Sequence, residues 1–388
     1  MSTPSLGLSR MHPRDPDEPH RVASPLELFF DLVFVVAVSL SSAELHHAES
    51  GGHVGAGLGG YLIVFFAVWW AWMNFTWFAS AFDVDDWLYR VLTFVQMAGA
   101  LVLAAGTPAA MAGSGFTVTV AGYLIMRLAM VTQWLRAAGS HPGLRTTALR
   151  YAGGITGVQV LWVLWVVWSP TGATGVLTFV VLALAELSVP VLAERARSTP
   201  WHPHHIAERY SLFTLILLGE SILASTGAVV DALSSAEHLA PRLELSACGL
   251  VLAAGMWWIY FCREQHEHVR FMPRALVFGY GHYLIFAAAG AFSAGIEVAV
   301  DVDTRQTGLA AAAAGATLTV PVAVFVLGIW ALSIRPTLRT GRNAVVAGLA
   351  VLLGLSAFAP WTPVVAAALM VAVVVAVETA PARNTADA

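Results

Sequence analysis

The sequence predicts an all-α, polytopic integral membrane protein of about twelve transmembrane helices. Three observations carry this. Of 388 residues, 58% are hydrophobic and only 11% charged, where a soluble domain carries about a quarter. Apolar runs long enough to cross a bilayer, about 20 residues each, recur along the chain. The arginines fall in alternate loops, the pattern that marks the cytoplasmic side.

The chain opens with a polar, Pro-rich stretch, residues 1–25, expected to be a disordered cytoplasmic tail carrying Arg10, Arg14 and Arg21. The first apolar run contains Glu27 and Asp31 and no small-residue cleavage site, so no cleaved signal peptide is expected. Twelve spans then follow. The first six lie near 26–45, 58–80, 91–108, 116–135, 151–168 and 175–193, forming a first half over 26–193. A cytoplasmic linker, 194–206, holds a histidine cluster. The second six lie near 207–230, 246–262, 275–298, 309–333, 343–358 and 361–377, making a second half over 207–377, and 378–388 is a cytoplasmic tail. Only Ala359-Pro360 separates the last two spans.

There is no Lys, and the twenty cationic side chains are all Arg. Seventeen fall on the side that holds the N-terminal tail, against Arg242 and Arg305 on the other and Arg127 within a span. This asymmetry assigns both termini to the cytoplasm and requires an even number of spans. A net charge of −4 with no basic stripe argues against nucleic acid as a partner; the lipid bilayer is the expected one. Cys248 and Cys262 share one apolar run, where fourteen residues of helix separate them by about 21 Å, beyond disulfide reach.

The halves resemble each other. Leu26-Glu27-Leu28 opens the first span as Ala207-Glu208-Arg209 opens the seventh; Trp69-Trp70-Ala71-Trp72 matches Trp257-Trp258-Ile259-Tyr260; Ala104-Ala105-Gly106 matches Ala288-Ala289-Gly290. Offsets of 181 to 188 residues suggest a six-plus-six duplication. With an even number of spans per half, the repeats run parallel, related by an axis along the membrane normal.

Charged groups within spans each need a partner or a task. Glu27 and Asp31, spaced i, i+4, share one face of the first span near its inner end, as a shared-proton or cation site or as acceptors for interfacial Arg. Glu220 falls about 20 Å into the seventh span, too deep for a short side chain to reach the surface. Glu186 and Arg127 are central in spans six and four. A buried Arg with Glu186, Glu220 or both reads either as a static ion pair or as a midplane substrate or proton site. Asn74, Gln96, Gln133, Gln159 and His282 are polar companions. In Asp83-Val84-Asp85-Asp86-Trp87, one carboxylate is placed to cap the third span and Arg90 to neutralise another. His202, His204 and His205 precede Glu208, and His266 and His268 lie in the next inner loop. Imidazole beside carboxylate suits zinc or another divalent metal, but the spacing matches no standard closed site, and a hydrogen-bonded network is the alternative. No P-loop, Gly-x-Ser-x-Gly elbow or His-Glu-x-x-His occurs, so the local sequence names no catalytic residue, enzyme class or cofactor.

Leu26-Glu27-Leu28-Phe29-Phe30-Asp31-Leu32-Val33-Phe34-Val35 resembles the opening signature of the low temperature requirement A (LtrA) family. Trp72-Met73-Asn74-Phe75, Thr199-Pro200-Trp201-His202-Pro203-His204-His205-Ile206-Ala207-Glu208-Arg209-Tyr210, Leu218-Gly219-Glu220-Ser221 and Gly279-Tyr280-Gly281-His282-Tyr283 extend the resemblance over roughly 20–380. It implies a bacterial multi-pass protein of the cytoplasmic membrane required for growth in the cold, a phenotype and not a mechanism. The leading expectation is a transporter-like protein for a small solute or ion, with Glu27, Asp31, Arg127, Glu186, Glu208, Glu220 and His282 as candidate binding residues. The alternatives are a membrane-embedded enzyme working on a lipid-like substrate through the His/Glu cluster, and a membrane sensor or scaffold.

Overall fold

A chain whose apolar residues run all round each helix buries itself in lipid, where only helices satisfy every backbone polar group locally. The structure, a computed structural model, describes residues 7–15, 18, 21–235 and 239–379, with backbone alone at 83, 228, 231, 232, 234, 235 and 268. The described residues form α1 (Pro25–Ser50), α2 (Val54–Ala81), α3 (Trp87–Met111), α4 (Thr117–Ser140), α5 (Arg145–Trp168), α6 (Gly172–Glu194), α7 (Pro203–Ser235), α8 (Leu239–Phe261), α9 (Met272–Asp303), α10 (Ala311–Ile329), α11 (Thr340–Leu355) and α12 (Thr362–Glu378). Each expected span has its helix. Eleven are long and apolar enough to cross a membrane, α11 being counted on through the 3-10 turn that ends at Phe358. The exception, α12, has 17 residues, or about 25 Å of helix, against a hydrocarbon core of about 30 Å.

Helix ends follow local chemistry. Asp86 caps α3, its side chain accepting the Tyr89 N–H, and Arg90 forks onto Asp85 with two bonds of 2.7 Å. Both match the expectation for the Asp83–Asp86 loop. Ser169, at the end of α5, takes the left-handed conformation, φ 52°. The chain begins α7 earlier than expected, at Pro203, because Pro suits the first helical turn and the ring nitrogen Nδ1 of His202 accepts the N–H of His205 at 3.3 Å.

Of the stretch expected to be a disordered tail, residues 7–15, 18 and 21–25 are described, and some of these make contacts. His12–Pro13 pairs antiparallel with Phe82–Asp83, Met11 is buried, and the Arg14 N–H reaches the Ala81 carbonyl at 3.0 Å. Asp86 takes the Ser9 N–H at 3.0 Å and a short bond from Arg136. A few main-chain bonds and one apolar anchor hold residues 9–14 in place.

The contacts divide the chain into two compact units, Met1–Leu40 with Phe66–Arg209, and Ser41–Phe65 with Tyr210–Ala388. In the first, α3, α4, α5 and α6 pack neighbour on neighbour, as short loops between antiparallel helices dictate. The α3–α4 crossing is close because Gly122 lies against the backbone of Gly99 and Leu103, where a Cβ would have no room. In the second, α9 to α12 pack in the same sequential order, with α8 added against α9, α10 and α12. Here Gly295 of α9 lies against the Thr317 backbone of α10. Helix α9 is the most buried of the spanning helices and forms the core of this unit.

Candidate functional site

Two ionic clusters lie in the first unit. One sits where α1 and α7 begin. The i, i+4 spacing of Glu27 and Asp31 puts both carboxylates on one face of α1, and the same spacing puts His205 and Arg209 on one face of α7. Arg209, fully buried, forks onto Asp31 with Nε at 3.0 Å and Nη2 at 2.5 Å, the bidentate geometry that makes Arg–carboxylate pairs strong. Its Nη1 lies 3.2 Å from Glu27. Trp72 donates its indole N–H to Asp31 at 2.7 Å, and the Arg209 guanidinium lies 5.8 Å from the Phe75 ring. Glu27 also meets His205 Nε2 at 3.1 Å and Arg21 at 3.5 Å, and accepts the Ser24 N–H at 2.7 Å. Arg21 itself donates to the Ala79 carbonyl at 2.7 Å. Burial presses its guanidinium down to about 10, against the pull of Glu27. Glu208 lies at the edge, accepting the Ala23 N–H at 3.1 Å.

The second cluster is deep in the α2–α6 helices. Glu186 accepts from Arg127 Nη2 at 2.9 Å, from the Trp70 indole at 3.0 Å and from Gln159 Nε2 at 2.7 Å. All three donors and the carboxylate are at most 2% exposed. The Tyr123 ring lies 5.6 Å from the guanidinium. Among the described residues, Nε and Nη1 of Arg127 and Oε1 of Gln159 have no hydrogen-bond partner. Buried polar atoms are almost always satisfied, and these three make the cluster a candidate site.

The expected pairing of Arg127 with a mid-span Glu thus holds for Glu186 and not for Glu220. The latter is half-buried, and among the described residues nothing hydrogen-bonds or ion-pairs with it. The reason is its angle on α7. The buried stripe runs through Leu217, Leu218, Ser221 and Ser225, Gly219, Ile222 and Leu223 are exposed, and Glu220 falls on the border. Depth in the sequence was legible, whereas direction was not. His282 is fully buried. Its Nδ1 donates to the Phe278 carbonyl at 2.7 Å, Nε2 meets the Tyr260 hydroxyl at 3.2 Å, and Tyr210, Phe278 and Phe286 surround the ring.

The histidines separate by partner. His202 Nε2 meets the Glu18 carbonyl at 2.6 Å, His205 turns to Glu27, His204 is exposed, and His266 lies 3.1 Å from Glu267. The side chain of His268 lies outside the described residues. Among those described, no three His, Cys, Asp or Glu side chains are grouped as a metal would require.

Sequence reasoning counted Arg209 among loop arginines and missed it as the hub of the inner cluster. The available signal was its position four residues after His205, facing a carboxylate pair of the same spacing. It also missed Trp70 and Trp72, whose indole N–H groups serve the two clusters. In the second unit it missed His46, which meets Glu297 at 2.9 Å and Asp301 at 2.7 Å, with Ser50 donating to Asp301 at 2.5 Å.

Apolar helices of spanning length around buried, hydrogen-bonded ionic clusters define a multi-pass α-helical membrane protein. The profile of the bacterial low temperature requirement A protein (LtrA) matches residues 22–380. The chain belongs to that family. It is similar to an uncharacterized protein of Rhizobium meliloti (strain 1021), 29% identical over 296 residues, which are 69% of this chain and 68% of the relative.

Proposed function

We propose that this protein is a transporter-like membrane protein of the cytoplasmic membrane that moves a small solute or ion. In this reading, Arg127, Glu186, Gln159 and Trp70 form the polar centre, and the Glu27–Asp31–His205–Arg209 network closes its inner end. The observation that carries it is the guanidinium of Arg127, 1% exposed, with one nitrogen on Glu186 and two without an acceptor. An ion pair kept only for stability gains most when every donor is satisfied. A site for a passing solute needs donors left over.

A second reading, a membrane sensor or scaffold, is favoured by the inner cluster, where both Glu27 and Asp31 meet cationic partners. One experiment separates them. Purified protein in liposomes is offered labelled amino acids, carboxylates, polyamines and inorganic ions, with wild type compared to Glu186→Gln and the Arg127→Gln/Glu186→Gln pair. The transport reading expects one solute to accumulate above protein-free liposomes and uptake to fall at least tenfold in variants that still elute as folded protein. No movement of any solute, or uptake in both variants equal to that of wild type, sinks it and leaves the scaffold reading.

A further inference from the structure

A groove of about 730 Å³ opens between α5 and α6, away from both ionic clusters, lined by Arg150, Gly153, Gly154, Val189, Leu192 and Arg195. Its floor is apolar and its ends are cationic. We propose that it holds one anionic phospholipid, the phosphate between Arg150 and Arg195 and an acyl chain along the glycine side of α5.

Charge comes first. Both arginines are exposed, and among the described residues neither has a carboxylate partner. Among the described residues, Arg150 makes one polar bond, from Nη1 to the Leu192 carbonyl at 3.2 Å, and it uses one of three guanidinium nitrogens. The nearest acid in sequence, Glu194, is spoken for. It accepts from Tyr151 at 2.8 Å and from the N–H and hydroxyl of Thr199 at 2.8 and 2.9 Å. Two unpaired guanidinium groups at one rim suit the oxygens of a phosphodiester, to which Arg donates in a planar fork.

Shape comes second. Gly154 lets α5 approach α6, since a Cβ there would press on Val189. Gly153 and Gly157, i, i+4 on the outer face, have open space where a Cβ would be. They leave a shallow track running from the arginines toward the bilayer centre. Beyond it lie the exposed apolar side chains Val160, Leu161 and Leu164. A free phosphate would use the arginines but not the track, and a neutral lipid the track but not the arginines. An anionic amphiphile uses both.

Level comes third. Arg150 is in the second turn of α5, and Arg195 closes α6. Both therefore stand at helix ends, where headgroups lie, on the side to which the arginine asymmetry assigns the cytoplasm. Basic pockets between spans on that side recognise anionic headgroups.

The test uses the full chain in nanodiscs of phosphatidylcholine with 20% phosphatidylglycerol, then native mass spectrometry to count phosphatidylglycerol retained after detergent release. The wild type is expected to keep one tightly held molecule. Arg150→Gln/Arg195→Gln should lower its retention at least fivefold, and so should Gly153→Leu, which fills the track without touching charge. Arg274→Gln, in another inner loop, should retain it as wild type does. Inorganic phosphate at millimolar concentration should not displace it. Equal retention by wild type and both groove variants overturns the proposal, as does an equal loss with Arg274→Gln, which would mean general surface attraction. Displacement by inorganic phosphate also overturns it, in favour of a free-anion site. Should one groove variant fail to fold, the other decides alone.

Discussion

Arg209 is the residue on which the inner cluster turns. It is fully buried, contacts both carboxylates of α1 and lies over Phe75. Removing one partner of a buried ion pair strands the other, at a cost of roughly 3–5 kcal/mol. Arg209→Gln should therefore lower the melting temperature sharply, and Asp31→Asn should as well. The double variant should melt above the sum of the two losses, because no charge is left stranded between them. Strict additivity in this double-mutant cycle, read by thermal unfolding in detergent, would show that the fork contributes nothing. Glu220 gives the opposite expectation. With no partner among the described residues to strand, Glu220→Gln should melt within about 0.5 kcal/mol of wild type, as substitutions away from such contacts do. Loss of growth in the cold with this stability retained would mark it as a working group, and a large drop in melting temperature would reveal a partner.

The N-terminal segment and the α3–α4 pair behave as elements. Asp86 joins three of them, capping α3, taking the Ser9 N–H and binding Arg136 of α4. Burial raises its carboxyl, but Arg136 and the N–H groups of Tyr89 and Ser9 outweigh it and hold it below the usual carboxylate value. A depressed carboxylate contributes stability above its unfolded pKa and loses it as pH falls through the lowered value. The segment should stay docked at neutral and mildly acid pH and release only in strong acid. Asp86→Asn should release it at pH 7, seen as faster tryptic cleavage at Arg10 and Arg14; unchanged cleavage would mean the strand pairing alone suffices. At the α3–α4 crossing, Gly122→Leu should block assembly, because the added side chain meets backbone and not the end of a flexible chain. A variant that folds and melts as wild type would show that the crossing tolerates a shift. Both elements show where sequence legibility stops. The cap by Asp86 and the Arg90 fork were readable because they are local. The docking of Ser9 through Arg14 was not, since its partners are some 70 residues away.

For the whole molecule, the arginine asymmetry makes one prediction about topology. Reporter fusions after α2, α4, α6, α8 and α10 should all read cytoplasmic, and fusions after α1 and α3 should not; any inversion of that order would defeat the assignment of both termini to the inside. The number and order of helices followed from sequence alone because crossing lipid imposes a one-dimensional rule: enough apolar residues in a row, with every backbone group satisfied within the segment. The presence of charge in the spans was legible for the same reason, since each Glu, Asp or Arg interrupts such a run. Partner choice was not. That Arg127 takes Glu186, 59 residues away, while Glu220 takes none among the described residues, depends on which face each helix turns to its neighbours. Spans apolar on all sides carry no periodic signal of that face, so only packing decided it.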